Sequence, residues 1–197
     1  DTERSNDLGR WATDVVAVGD EIWVSHAQDS ALDVIDQANL SGRNVNVQNM
    51  EIWTLSANYD SVFGGGRRAD GAAGGFVVKM DNRSKSEVAR AATSEMIMQI
   101  TSDDAYVYAV GQTGTIWIYT AENLQLLRTV QPNVATFRPT DVLLIDNAVV
   151  VAAQQLNGEN GAVLVFYDLL PDGMERPIAT TRPAITSSPN TRPTTNT

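Results

Sequence analysis

Four carboxylates stand at the entrance of apolar, strand-like runs: Asp14 before VVAV, Glu51 before IWTL, Glu95 before MIMQI and Asp141 before VLLI. Carboxylate oxygens are the ligands that hard divalent cations such as calcium select, so four of them brought together would hold an ion of that kind. The same groups can instead accept hydrogen bonds from a neighbouring strand, and like charges gathered without compensation repel. The structural role is the stronger expectation. The only histidine, His26, follows the second apolar run. A histidine can act as a general base, but no partner for it is evident in the sequence, so a partly exposed loop residue is expected. Arg67 and Arg68 lie in a glycine-rich stretch, residues 64–75 (GGGRRADGAAGG). Two guanidinium groups can grip a carboxylate or phosphate, yet the plainer reading of such a stretch is a surface loop. If it acts, Arg67 and Arg68 contact another chain. It has neither a Walker lysine nor the strand-then-helix setting of a dinucleotide site.

These residues are positioned by a repeated unit. Residues 13–26 (TDVVAVGDEIWVSH) read as strand, tight turn, strand, and the pattern returns at 51–65, 95–112 and 140–155. The turns fall at Gly19-Asp20, Asn58-Tyr59-Asp60, Asp103-Asp104 and Asp146-Asn147, in steps of roughly 40–45 residues. Each unit has a second half. A third strand is expected at 31–36, 75–81, 115–120 and 162–168, followed by a polar turn and a weaker fourth strand, clearest at 126–130. Asn, Asp and Gly in those turns are expected to supply the backbone angles of a hairpin. Residues 86–98 are rich in helix formers, but the spacing requires strand, loop, strand there. Trp11, Trp23, Trp53 and Trp117 fall at strand positions, where packing between sheets is the expected role. Asn39-Leu40-Ser41 and Asn82-Arg83-Ser84 are glycosylation sequons on turns.

A period of this length with four strands per unit is the signature of a propeller blade. Residues 116–130 (IWIYTAENLQLLRTV) resemble the third-to-fourth-strand hairpin of WD40-like and quinoprotein-like propellers. Residues 138–142 (RPTDV) and 12–17 (ATDVVA) resemble the start of blades in YVTN, NHL and gluconolactonase-like propellers. The resemblance covers about residues 11–180 and implies an all-β fold: a β-propeller of four four-stranded antiparallel blades, closed, or an open arc, or part of a larger ring. Tyr119-Thr120 and Phe166-Tyr167 stand where true WD40 repeats carry Trp-Asp, so functions particular to that family do not carry over. Gluconolactonase-like propellers hold a divalent ion near the channel mouth and hydrolyse lactones. That resemblance implies the alternative function, a metal-dependent lactonase-like hydrolase with Asp14, Glu51, Glu95 and Asp141 as ligands.

The expected organisation is an N-terminal arm (1–10), a propeller (11–180, blades about 11–50, 51–93, 94–132 and 133–180) and a tail (181–197). The arc is expected to close without exchanging a strand between the termini. The tail region, residues 176–197, holds four of the 7 prolines and the arginines Arg176, Arg182 and Arg192. Proline denies it helix and backbone donors, leaving an extended segment suited to binding a protein partner through these arginines.

Composition narrows the function. The net charge of −10 argues against a nucleic-acid backbone as partner. No run approaches the ~18 apolar residues of a membrane helix. With no cysteine there can be no disulfide, cysteine-ligated metal or thiol chemistry. The first residue, Asp1, fits either an exported chain whose signal has been removed or a chain trimmed at its start. The sequence reading is therefore a non-catalytic binding or structural subunit of a larger periplasmic or extracellular assembly. It would bind other proteins through the tail and the glycine-rich stretch, with no cofactor, or with a divalent cation such as calcium under the alternative.

Overall fold

A computed structural model describes residues 11–27, 29–131, 137–145, 148–155 and 162–168. It is built from strands throughout, in four antiparallel sheets. The first sheet holds β1 (Ala12–Val18), β2 (Glu21–His26), β3 (Ala31–Asp36) and β4 (Gly42–Asn46) in that order. The second holds β5 (Met50–Ala57), β6 (Ser61–Arg68), β7 (Gly75–Asp81) and β8 (Ser86–Thr93). The third holds β9 (Ile97–Ser102), β10 (Tyr106–Gly111), β11 (Ile116–Thr120) and β12 (Leu126–Val130). In the fourth, β13 (Phe137–Ile145), β14 (Ala148–Gln155) and β15 (Ala162–Asp168) pair in sequence order. The expected fourth strand of the last blade falls outside the described residues, as do the N-terminal arm and the tail.

Each sheet is a blade. The first strands of successive blades pack side by side, β1 on β5, β5 on β9 and β9 on β13, and form the inner wall. Among the described residues β13 does not pack on β1 in this way, so in place of the expected closure the four blades make an open or partial propeller. The residues expected to be strand, loop, strand rather than helix are so: β8 ends at Thr93 and β9 begins at Ile97.

Alternation along the strands builds one apolar layer between each pair of blades. Val18, Trp23, Leu32 and Val34 of blade one meet Met50, Ile52, Leu55 and Val78 of blade two. Phe63 and Val77 meet Ile97, Ile100, Trp117 and Tyr119 at the next seam. Tyr108, Val110, Ile116 and Ile118 meet Val142, Val149 and Val151 at the third. Trp23 and Trp117 are core residues as expected, whereas Trp11 is 79% exposed.

A bulge interrupts each inner strand at Thr13, Trp53, Met98 and Thr140. It fixes a common register, in which Asp14, Thr54, Gln99 and Asp141 are equivalent. The turns between third and fourth strands also repeat: Leu40, Lys85 and Leu124 adopt positive φ and donate their N–H groups to Asp36, Asp81 and Thr120 carbonyls. The left-handed residue is therefore a leucine or lysine rather than the Asn or Gly expected. Asp36 and Asp81 cap the following amides instead.

The glycine-rich stretch is not one loop. Residues 64–68 belong to β6, and only 69–74 connect it to β7. A Cβ on Gly65 would stand 2.5 Å from Ile97 Cγ2, and one on Gly66 would collide with the Glu51 carbonyl. Gly65 lets the inner strand of blade three press onto the middle of blade two, and Gly66 admits the backbone of its own blade's β5.

Candidate functional site

The register separates the four carboxylates. Asp14 and Asp141 follow their bulges, whereas Glu51 and Glu95 lie earlier along the chain than Thr54 and Gln99, which occupy that place in blades two and three. The expected ring of equivalent ligands is therefore not what the backbone presents. Each acid has other partners. Asp14 accepts from its own Val15 N–H at 2.8 Å, from Leu55 N–H at 2.7 Å and from Thr54 Oγ1 at 3.1 Å. Glu51 pairs with Arg67 at 2.8 Å. Glu95 accepts from the Thr113 amide at 2.6 Å and its hydroxyl at 2.8 Å. Asp141 accepts from Val142 N–H at 2.8 Å. Among the described residues, no three acidic or histidine side chains converge on one point as a metal centre requires.

What the inner wall does hold is a belt of hydrogen bonds crossing all four blades. Thr13 Oγ1 donates to the Ile52 carbonyl at 3.4 Å, alongside the Asp14 contacts. Thr54 Oγ1 lies 3.5 Å from Gln99 Oε1, and Gln99 Nε2 donates to the Thr140 carbonyl at 2.8 Å. Ser56 and Ser102 share a further bond at 2.7 Å. A carboxylate at the first seam and neutral side chains at the other two thus link each blade to the next.

His26 departs from expectation. It is the last residue of β2 and fully buried, with Nε2 2.9 Å from Asp33 Oδ2. The partner sits seven residues on, across the β2–β3 pairing, where a linear reading does not show it. Enclosed in this way, the imidazole joins two strands and offers no reachable base.

Arg67 and Arg68 end β6 at the rim where the inner strands begin. Arg67 lies over Trp53 at 5.7 Å, and Arg68 over Phe76 at 5.6 Å, with Arg90 over the same ring at 4.7 Å. Arg68 also pairs with Asp70, whose carboxyl is held well below its usual range by that guanidinium, Asn49 and the Ala72 amide. Both arginines therefore have partners within the chain while Arg67 stays largely exposed. Arg176, Arg182 and Arg192 lie outside the described residues.

The opposite rim holds a feature the sequence reading missed. A cleft of about 430 Å³ opens between blades one and two, lined by Ala17, Val18, Gly19, Asn58, Tyr59, Asp60, Asn82 and Arg83. Tyr59 is 90% exposed. Below the cleft, the Lys85 amine bonds Glu21 and the Asn82 carbonyl and lies 5.3 Å from the Trp23 ring. A turn tyrosine followed, in the next hairpin, by Asn-Arg was the only signal available.

No protein-family model matches the chain, and no curated protein matches it in sequence. Solved structures do match in shape. Hydrazine synthase of Kuenenia stuttgartiensis is 14% identical with a TM-score of 0.70, covering 90% of this chain and 51% of that one. The WD40 repeats of RRP9 are 8% identical with a TM-score of 0.69, over 87% of this chain and 52% of that one. The computationally designed Ika4 protein is 18% identical with a TM-score of 0.64, over 80% of this chain and 92% of that one. The chain thus spans about half the length of the first two and nearly all of the third. At these identities the likeness is one of fold, and with the blades described above it makes this chain a β-propeller, open or partial.

Proposed function

We propose that the chain is a non-catalytic scaffold, a binding or structural subunit of a larger extracytoplasmic assembly. The observation that carries this reading is the use made of the inner-wall carboxylates. Asp14 joins blade to blade, Asp141 caps its own strand, Glu51 and Glu95 are held by Arg67 and Thr113 of their own blades, and the one histidine is enclosed. The accessible side chains of the kind that dominate protein interfaces, Tyr59 and Arg83 on one rim and Arg67 on the other, lie at the surface. An acidic body favours a partner with a basic contact surface. Arg176, Arg182 and Arg192 in the proline-rich tail are proposed as a second attachment.

The test compares the purified chain with the chain in native extracts of its source cells. It should elute larger in the extract, and a Tyr59→Ala/Arg83→Glu variant should lose that increment while keeping its melting temperature. Deleting residues 179–197 tests the tail in the same assay. A wild-type chain no larger in extract than when purified overturns the reading. Cell fractionation tests the extracytoplasmic placement separately.

A further inference from the structure

The first and fourth blades carry the same tripeptide at the same place. Thr13-Asp14-Val15 and Thr140-Asp141-Val142 each straddle a bulge, and each aspartate caps the next amide at 2.8 Å. In blade one the motif is a fastener. The second oxygen of Asp14 takes the Leu55 amide and the Thr54 hydroxyl of the next inner strand, and Val16 and Val18 on the same face enter the seam. In blade four the equivalent face has no such neighbour among the described residues. Asp141 is exposed and takes no second hydrogen bond among the described residues. Leu143 and Ile145, equivalent to Val16 and Val18, are 57% and 47% exposed.

The other end of the arc shows the complementary deficit. Leu55, Ile100 and Val142 are equivalent residues, each buried against the preceding blade at 8% exposure or less. Their counterpart in blade one, Val15, is 61% exposed, and Ala17 beside it is also exposed. Among the described residues, one end has no following inner strand packed on it and the other no preceding one.

We infer that the exposed face of β13, centred on Asp141, Leu143 and Ile145, docks the β1 face of a second copy of this chain, head to tail. Two observations favour a copy as occupant. The chain itself presents the missing inner strand with its matching face uncovered. Its four blades also superpose on about half of the hydrazine synthase and RRP9 chains, so their curvature suits an arc completed by as much again. A heterologous contact whose rotation closes after two copies uses both ends twice and leaves none exposed. The net charge of each copy opposes the contact, and physiological salt screens it beyond ~8 Å.

The experiment is light-scattering mass determination of the purified 197-residue chain at physiological salt, at up to ~0.1 mM, well above the micromolar range of modest interfaces. Wild type should have twice the chain mass. Leu143→Asp and Val15→Asp should each be monomeric, and Asp141→Ala should weaken association about tenfold. Mixing the two monomeric variants is decisive. One of the two contacts in the pair then joins unaltered faces, so a dimer of one copy of each should reappear. A monomeric wild type overturns the inference. So does a mixture that stays monomeric, which would mean like ends meet. Circular dichroism confirms that each variant is folded, and Ile145→Glu with Ala17→Glu repeats the mixing test at neighbouring positions. This outcome is independent of the extract assay above, because it uses the purified chain alone.

Discussion

The seam between blades one and two and the seam between blades two and three bury similar apolar layers but are fastened differently. At the first, a carboxylate reaches across: Asp14 binds the Leu55 amide and Thr54 hydroxyl of its neighbour. At the second, the equivalent residue is Thr54, which can offer only a long contact to Gln99. There the fastening is a neutral Ser56–Ser102 hydrogen bond together with close steric contact. Gly65 has no side chain, so Ile97 sits directly on the β6 backbone. A blade can therefore be locked either by a charged acceptor on the inner strand or by removing side chains from the strand beneath it.

This contrast predicts a graded set of effects. Gly65→Val should be the most damaging change, because the added side chain must push Ile97 and the whole inner strand away. A loss near 3 kcal/mol is expected, roughly 6–12 °C in Tm for a chain of this size. A thermal melt that moves by less than a degree would show that the seam is not close-packed there. Asp14→Ala removes a charged acceptor and strands the Leu55 amide, so about 2 kcal/mol should be lost. Asp14→Asn should recover part of this, since its carbonyl can still accept. A still smaller effect is expected at Tyr119, which is buried at the second seam with a hydroxyl that finds no partner. Tyr119→Phe should be neutral or slightly stabilising near pH 7.

Tyr119 also gives the comparison a pH handle. Burial pushes its phenol up to about 12. The folded state thus holds a proton that the unfolded chain releases near pH 10. Its contribution is complete below pH 10 and declines as pH rises from there through about 12. Tyr119→Phe should therefore flatten the alkaline loss of Tm measured between those limits. Tyr108, raised by burial and by Asp103, adds a loss of the same sign. The smallest effect concerns cations. With Asp14 acting as a fastener, millimolar calcium should leave Tm unchanged and lactone turnover at the buffer rate. A calcium-dependent rise that vanishes in Asp14→Ala would favour the hydrolase reading instead.

The blades were legible because their signals are local. Apolar runs of five to eight residues, punctuated by polar turns, carry strand and hairpin in a short window, and the repeat of Asp or Asn at those turns sets the period. The carboxylate positions were legible only as composition. Whether Glu51 or Thr54 matches Asp14 depends on a bulge at Trp53, and a bulge shifts every later side chain without marking the sequence. The pairing of His26 with Asp33 was hidden for a related reason, since it follows from the β2–β3 register. The glycines of residues 64–66 misled because Gly is read as flexibility, whereas here it permits close approach. The cleft beside Tyr59 combines two hairpins from different blades, and no single stretch of chain announces it.

The four tryptophans have an optical consequence. All of them precede residue 118, with Trp23 and Trp117 enclosed in the first two seams and none in the chain beyond. Tryptophan fluorescence, excited selectively over tyrosine, thus reports on the first three blades and is blind to the fourth, while far-ultraviolet dichroism sees all of them. Two melting curves that coincide would show the arc unfolding as one unit. A dichroism change that precedes the fluorescence shift would show the last blade peeling away from a still-folded remainder.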